Sequence, residues 1–596
     1  MIDPGTISAL TALTSARAPA REPGGEAIAF IANDSGMPQV WLHENGTSRQ
    51  LTHHPEPVNA VAWSPKGGTL LFTADVGGDE RWQLHLLDVA SGQIHALTND
   101  PMTVHMWGAW SADGTRVACT ANPTDKSQLD IQIIDVATGT MTTIGGHAAY
   151  QEVLAFTPAG DALLVRRSLG AGSDQKLELV DIASGTRTPV LDAPKRVKFI
   201  AARLLKSGGG LAICDHEGDR AALWRFDGEG LSMGLVHADD TWELDALALT
   251  PDQTGVVVAI NCGGLSRLRH VDLNTGGLRD IALPFDCVLT GPSIPAPGDR
   301  LLATITSSVT PTAAWSIPLD GGPATAIAAP ALPEDMAIGF RPAVAESFAS
   351  FDGEQIPWFG YTPAGERPSA GWPTIFIIHG GPEMQWRPDF RADVQWMVSQ
   401  GIQVIAPNVR GSTGYGRRFH ALDDREKRHD ALADVEALRQ HLVAAGRIDP
   451  ARCGIFGRSY GGWMVMAAVT ENPASWTFGI NFYGIGNFFT HLLATGPWGR
   501  ALRAAEYGDS ATDPALLTRI SPIFQAAAIQ APLFMVHADR DPRVPLTESE
   551  TIFAVLFGLG KPCEFLRIQH AGHGFLRKDQ AIRVFDATAR FIARHF

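Results

Sequence analysis

Cys453-Gly-Ile-Phe-Gly-Arg-Ser-Tyr-Gly-Gly-Trp-Met464 is the stretch whose reading decides the rest of the chain. The apolar run 453–456 has the composition of a buried strand, and 463–469 that of a helix. Between them lies Gly457-Arg-Ser-Tyr-Gly461, a Gly-x-Ser-x-Gly pentapeptide in a strand–turn–helix setting. So sharp a turn excludes side chains two residues before and two after the serine. It lifts the Ser459 hydroxyl off the sheet edge, at the amino end of a helix that favours developing negative charge. The pentapeptide alone is often no more than a Gly/Ser-rich turn. The strand before it, the helix after it and a third glycine at 462 make Ser459 a candidate nucleophile.

A serine nucleophile needs a base within hydrogen-bond reach and an acid to orient that base. In strand–helix hydrolases these follow the serine as acid, then histidine. A strand over 532–536 ends in His537-Ala-Asp-Arg-Asp-Pro-Arg-Val-Pro545, which offers Asp539 and Asp541. The strand over 564–568 leads to Gln569-His-Ala-Gly-His-Gly-Phe575, which offers His570 and His573. The residues alone leave both pairs open, although Gly572 and Gly574 give His573 the backbone freedom to swing over a serine. The oxyanion needs two backbone donors. One is the amide of Tyr460; the other is assigned to Gly381, in the His379-Gly-Gly-Pro382 loop that closes a strand over 374–378. His379 itself reads as a loop-fixing residue. The chain has neither a His/Cys cluster with metal-ligand spacing nor a phosphate-binding glycine loop, so neither metal nor cofactor is expected.

At 596 residues the chain is too long for one core. It is 45% hydrophobic and 19% charged, and no apolar run approaches the roughly 18 residues of a membrane helix. No secretory leader is visible, and six scattered cysteines suit reduced thiols, so a cytoplasmic protein is expected. A net charge of −15 argues against a nucleic-acid partner. Residues 1–18 have the pattern of one short amphipathic helix. Beyond about residue 25, Trp63-Ser-Pro-Lys-Gly recurs as Trp110-Ser-Ala-Asp-Gly and Phe156-Thr-Pro-Ala-Gly, with degraded copies from Leu205, Leu249 and Ile294. A second marker, Asp88-Val-Ala-Ser-Gly, recurs at Asp135, Asp181 and Asp272. A period in the forties with two turns per unit means propeller blades. Six marked units and an unmarked first one predict a seven-bladed β-propeller. From about residue 336, after a Pro-containing link (Pro330, Pro333, Pro342), strands alternate with helices as in a parallel sheet with crossover helices. The expected division is an amino-terminal helix (1–20) packed on the hydrolase domain, the propeller (21–335) and an α/β-hydrolase domain (336–596).

His379-Gly-Gly-Pro, Asn408-Val-Arg-Gly-Ser-Thr-Gly-Tyr-Gly416, Gly457-Arg-Ser-Tyr-Gly-Gly462, Asp541-Pro-Arg-Val-Pro545 and His573-Gly-Phe together resemble the prolyl oligopeptidase family of serine peptidases, most of all its acylaminoacyl-peptidase-like branch. The resemblance is dense over the catalytic domain and only architectural over the propeller. It implies Asp541 and His573 as the partners of Ser459, and Arg543 as a clamp on a substrate carbonyl. Trp463 stands where the family usually has Tyr, and Ala538 where it usually has Gly. The resemblance implies hydrolysis of short peptides in a cavity gated by the propeller. An esterase with an appended propeller, carboxypeptidase or dipeptidyl-peptidase specificity, and a propeller scaffold with a dead hydrolase are the competing readings. The oligomeric state and the peptide terminus recognised are left open. The loop after a strand at 478–482 is expected to form an apolar specificity pocket from Phe488 and Phe489, with Trp463 as a further substrate-binding residue; Tyr483 and Trp498 are candidates for the same wall, whereas Phe482 reads as core.

Overall fold

The computed structural model describes the chain except for residues 1–2, 4, 145–149, 171–173, 192–195, 228–231, 333–335, 337–338 and 496, and the side chains of 497–499 and 501. Pro333 and the side chain of Trp498 therefore lie outside the described residues.

The repeated turns of the amino-terminal half follow from their chemistry. In the Asp-x-x-Ser/Thr-Gly marker the carboxylates of Asp88, Asp135, Asp181 and Asp272 accept the amides of Ser91, Thr138, Ser184 and Thr275 at 2.7–2.8 Å. The glycine that follows takes a left-handed conformation, with φ between 69° and 73°. Each marker thus closes a hairpin between the third and fourth strands of a unit. Seven four-stranded antiparallel sheets result, over residues 16–50, 58–96, 105–144, 151–189, 199–237, 243–281 and 288–328, each with its strands in chain order. The aromatic residue before the first turn packs between blades. Trp63 of the second blade is buried against Ala29, Val40 and Leu42 of the first, and its Nε1 donates to the Ala20 carbonyl at 2.8 Å. The first and last blades meet through Ala16, Phe30, Ala32 and Ala314 and through the Ala18 amide on Thr304 Oγ1, without exchange of a strand among the described residues.

The amino terminus departs from expectation. The helix α1 covers only Thr6–Thr11, and Ala16–Arg21 is already the first strand of the first blade, so the propeller begins at 16 rather than 21. The Ser15 amide donates to Asn33 Oδ1 at 2.7 Å, which draws the chain into the sheet before a third helical turn can form. Ile7 and Leu10 of α1 are buried with Val394, Met397, Phe591 and Ile592 of the carboxy-terminal domain.

That domain is one eight-stranded sheet: β1 (Val344–Ala349), β2 (Gln355–Tyr361), β3 (Trp372–Ile378), β4 (Gln403–Pro407), β5 (Ile448–Arg458), β6 (Phe478–Phe482), β7 (Leu533–Ala538) and β8 (Cys563–Ile568). The order is β1-β2-β4-β3-β5-β6-β7-β8, antiparallel through β4 and parallel from β4 to β8. Strands buried on both faces read as continuous apolar runs, such as Phe478–Phe482, which is buried throughout. The whole is a seven-bladed propeller joined to an α/β-hydrolase sheet.

Replacing Trp63 by Ala removes both its packing between blades and its hydrogen bond. It is expected to cost about 3–5 kcal/mol, seen as a lower denaturation midpoint in far-UV circular dichroism.

Candidate active site

Ser459 follows β5 and caps the helix α2 (Tyr460–Glu471) with φ 58° and ψ −122°. For a residue with a side chain this is strained backbone, held because its surroundings leave no alternative. The Ser459 amide donates to the Phe482 carbonyl at 2.9 Å. A Cβ on Gly457 would lie 2.1 Å from the Gly461 carbonyl oxygen, one on Gly461 2.3 Å from that of Ile378, and one on Gly462 2.4 Å from Asn481 Oδ1. All three positions must therefore be glycine, which fixes the elbow.

The loops after β7 and β8 bring the acid and base together. His573 Nδ1 donates to Asp541 Oδ2 at 2.6 Å, while Asp541 Oδ1 accepts the amides of Arg543 and Val544 at 2.9 Å. Burial alone raises the Asp541 carboxyl, but hydrogen bonds from His537 and His573 and their charge outweigh it and hold the group well below the usual carboxylate range. The ring of Tyr483 lies 4.5 Å from that of His573, centroid to centroid, and fixes its face. The alternatives separate plainly. His570 is exposed with φ 53°, and Asp539 bonds through its amide to the Ile568 carbonyl.

The loop after β3 lies across the elbow: a Cβ on Gly380 would stand 3.6 Å from that of Ser459, and Gly381, at φ 125°, lines the adjoining cavity. His379 is buried, its Nδ1 2.7 Å from the Gly380 carbonyl and its Nε2 2.9 Å from Ser412 Oγ. Burial lowers its pKa to about 4. It fixes the loop as a neutral group.

Three residues expected to touch substrate do not line the site in this way. Trp463 is fully buried, with Nε1 on the Ile520 carbonyl at 2.7 Å. Phe488 is fully buried against Trp463, Tyr507 and His491, because its amide is held by Ser521 Oγ and turns the ring inward. Phe489 packs on Phe524. Trp463 and Phe488 are core, not a pocket wall, and Phe489 packs half-buried against that core.

The residues missed from the sequence come from the propeller. The 75–82 loop of the second blade carries Gly77 and Gly78, and a Cβ on Gly78 would lie 2.5 Å from the Gly572 amide nitrogen, next to His573. Asp75 Oδ2 accepts the Glu80 amide at 2.7 Å, and Glu80 Oε1 in turn accepts from Arg543 Nε at 2.7 Å. Burial raises the Glu80 carboxyl against the opposing charges of Arg543 and His573. The Gly-Gly pair was the one available signal for a close backbone approach. Beyond this contact opens a cavity of about 630 Å3 between the two domains, walled by Trp82, Met102, Val104, Met106 and Leu129 on the propeller side and by Gly381, Leu502 and Arg543 on the other.

Residues 388–596 match the family model described as the prolyl oligopeptidase family. This carboxy-terminal part of the chain is a serine peptidase domain of the prolyl oligopeptidase family. The chain is 26% identical over 96% of its length to an uncharacterized peptidase YuxL of Bacillus subtilis, covering 96% of that protein. It is also 26% identical, again over 96% of its length, to 86% of the dipeptidyl aminopeptidase BIII of Pseudoxanthomonas mexicana. The solved acylaminoacyl peptidase of Pyrococcus horikoshii shares its fold with a TM-score of 0.74 at 18% identity, over 99% of this chain and 97% of that one.

Phe488→Ala is expected to lower stability by about 3–5 kcal/mol while leaving the order of preference among peptide substrates unchanged; denaturation and a substrate panel read the two separately. The native state refuses a proton at His379 down to about 4, while the unfolded chain takes one up near 6.5. Stability therefore falls as pH drops through that window, by up to about 3 kcal/mol for this group. His379→Gln is expected to flatten that slope in denaturation midpoints measured between pH 7 and 4.

Proposed function

We propose that this peptidase is a serine oligopeptidase of the acylaminoacyl-peptidase kind, cutting short peptides that enter between propeller and sheet. The observation that carries the reading is the 2.6 Å bond from His573 to a buried Asp541 beside the elbow of Ser459. His573 takes the Ser459 proton as the hydroxyl attacks the scissile carbonyl. Asp541, kept ionised, orients the ring and balances the imidazolium that forms. The amides of Tyr460 and Gly381 hold the oxyanion. His573 then protonates the leaving amine, and water repeats the cycle on the acyl-enzyme. Arg543, anchored through Nε, presents its remaining donors to a substrate carbonyl.

Two of the cavity carboxylates are engaged by arginines, Glu80 by Arg543 and Glu506 by Arg428, which supports a blocked or neutral amino end over a free ammonium. The wall of Met102, Val104, Met106 and Leu129 suits an acyl group. All six cysteines are free thiols, which fits a reducing compartment such as the cytoplasm.

Ser459→Ala is expected to abolish turnover and labelling by a fluorophosphonate, His573→Ala to be nearly as damaging, and His570→Ala to be mild; near wild-type rates in Ser459→Ala would refute the assignment. Acetylated peptides are expected to be cut at least as fast as their free-amine counterparts, and native globular proteins not at all. A tenfold advantage for the free amine in kcat/KM would move the reading to the dipeptidyl branch.

A further inference from the structure

Among its described lining residues, the cavity that Gly381 borders carries four cations and four carboxylates, but they are not all paired with one another. Arg503, in the second turn of the helix Pro497–Tyr507, lines it together with Leu502 and Glu506. Among the described residues no carboxylate oxygen comes within 4 Å of the Arg503 guanidinium, and the neighbouring Glu506 is already bound to the fully buried Arg428. Two further cations on the propeller wall share this condition. Arg81 reaches only Met102 Sδ at 3.7 Å, and Lys126 Nζ donates to three uncharged oxygens, those of Thr103, Asn122 and Pro123, at 2.9–3.3 Å. Asp79 and Glu383 are the remaining acids of the wall, and neither pairs with these cations. Of these three cations Arg503 is half-buried, whereas Arg81 and Lys126 are exposed at the cavity's rim.

A guanidinium presents its donors as a fork that matches a carboxylate, and apolar walls strengthen such a pair by excluding water. The half-buried Val104, Met106 and Leu502 supply those walls. We propose that Arg503 makes this enzyme selective for peptides bearing a carboxylate near the scissile bond, on the side chain of a residue that precedes it. Arg81 and Lys126 extend the preference to further acidic residues upstream. The proposal rests on the peptidase reading above and names its substrate class: acidic peptides.

The test measures kcat/KM for matched peptides carrying Glu or Gln at each position before the cleaved bond, and for one neutral peptide with a free or an amidated carboxy terminus. Wild type is expected to favour Glu over Gln by tenfold or more at one position at least. Arg503→Gln should bring that ratio to within about twofold of one, and Arg503→Lys should keep most of it. Because the ratio is taken within each protein, loss of folded enzyme affects both members alike. Equal rates for Glu and Gln at every position, or a preference that survives in Arg503→Gln, would overturn the proposal and leave the peptidase reading standing. A preference confined to the free carboxy terminus would overturn it in favour of carboxypeptidase recognition. A protein that cuts no peptide would overturn both.

Discussion

The site depends on a backbone constraint: Ser459 is held at φ 58° and ψ −122° between a strand and a helix that meet with no room for a Cβ at residues 457, 461 or 462. An L-residue avoids that region, so the strain must be met by surrounding order. It is met from both sides. The Ser459 amide is tied to the Phe482 carbonyl of β6, and Trp463, one helical turn on, is pinned through its indole to Ile520. The fully buried aromatics beneath α2 hold the helix against the sheet, which explains why Phe488 and Trp463 are core.

The propeller takes part in this order. Its second blade meets the loop of His573 backbone to backbone, so closely that a Cβ on Gly572 would lie 1.8 Å from the Gly78 carbonyl oxygen. Among the described residues, four ion pairs across the boundary run the same way, with hydrolase arginines on propeller acids: Arg387–Asp245, Arg417–Asp215, Arg543–Glu80 and Arg577–Glu56, at 2.7–2.9 Å. Partly exposed pairs of this kind contribute little stability each, about 1 kcal/mol or less. Their common direction and spread fix orientation, so the second blade is set against the base and the carbonyl clamp at once. The propeller both encloses the cavity and positions the chemistry.

Local chemistry was legible where a residue's neighbours in sequence are its neighbours in space. The Asp-x-x-Ser/Thr-Gly turns, the blade period and the glycine elbow are all of this kind. Asp541 against Asp539 was not, because the choice is made by the loop after β8, which carries His573 to one of them. Phe488 is not legible in this way, because an aromatic after a strand is equally compatible with a pocket and with a core, and the Ser521 hydroxyl that holds its amide lies 33 residues on. Glu80 was beyond reach of pattern: its partner Arg543 is 463 residues away. The first strand was hidden because Ala16–Arg21 carries no marker turn of its own.

The buried cation Arg428 joins the two halves of the site. Its guanidinium pairs with Asp423 and Glu506, lies 3.2 Å from Tyr460 Oη and sits 5.2 and 5.0 Å from the ring centres of Tyr460 and Tyr507. One cation stands between two acids. Burial, opposed by Arg428 and reinforced by Glu506, raises the Asp423 carboxyl above its ordinary range. A buried pair of this kind adds little net stability, but breaking it strands a charge at a cost of about 3–5 kcal/mol. The pair therefore acts as a specification of geometry. Tyr460 bears on its backbone the amide assigned to the oxyanion and on its ring the contact with Arg428, so the donor beside Ser459 is aimed by its own side chain. Glu506 ends on the cavity wall and is neutralised from behind by the same cation, which leaves the adjacent Arg503 without an internal partner and turned toward whatever the cavity receives.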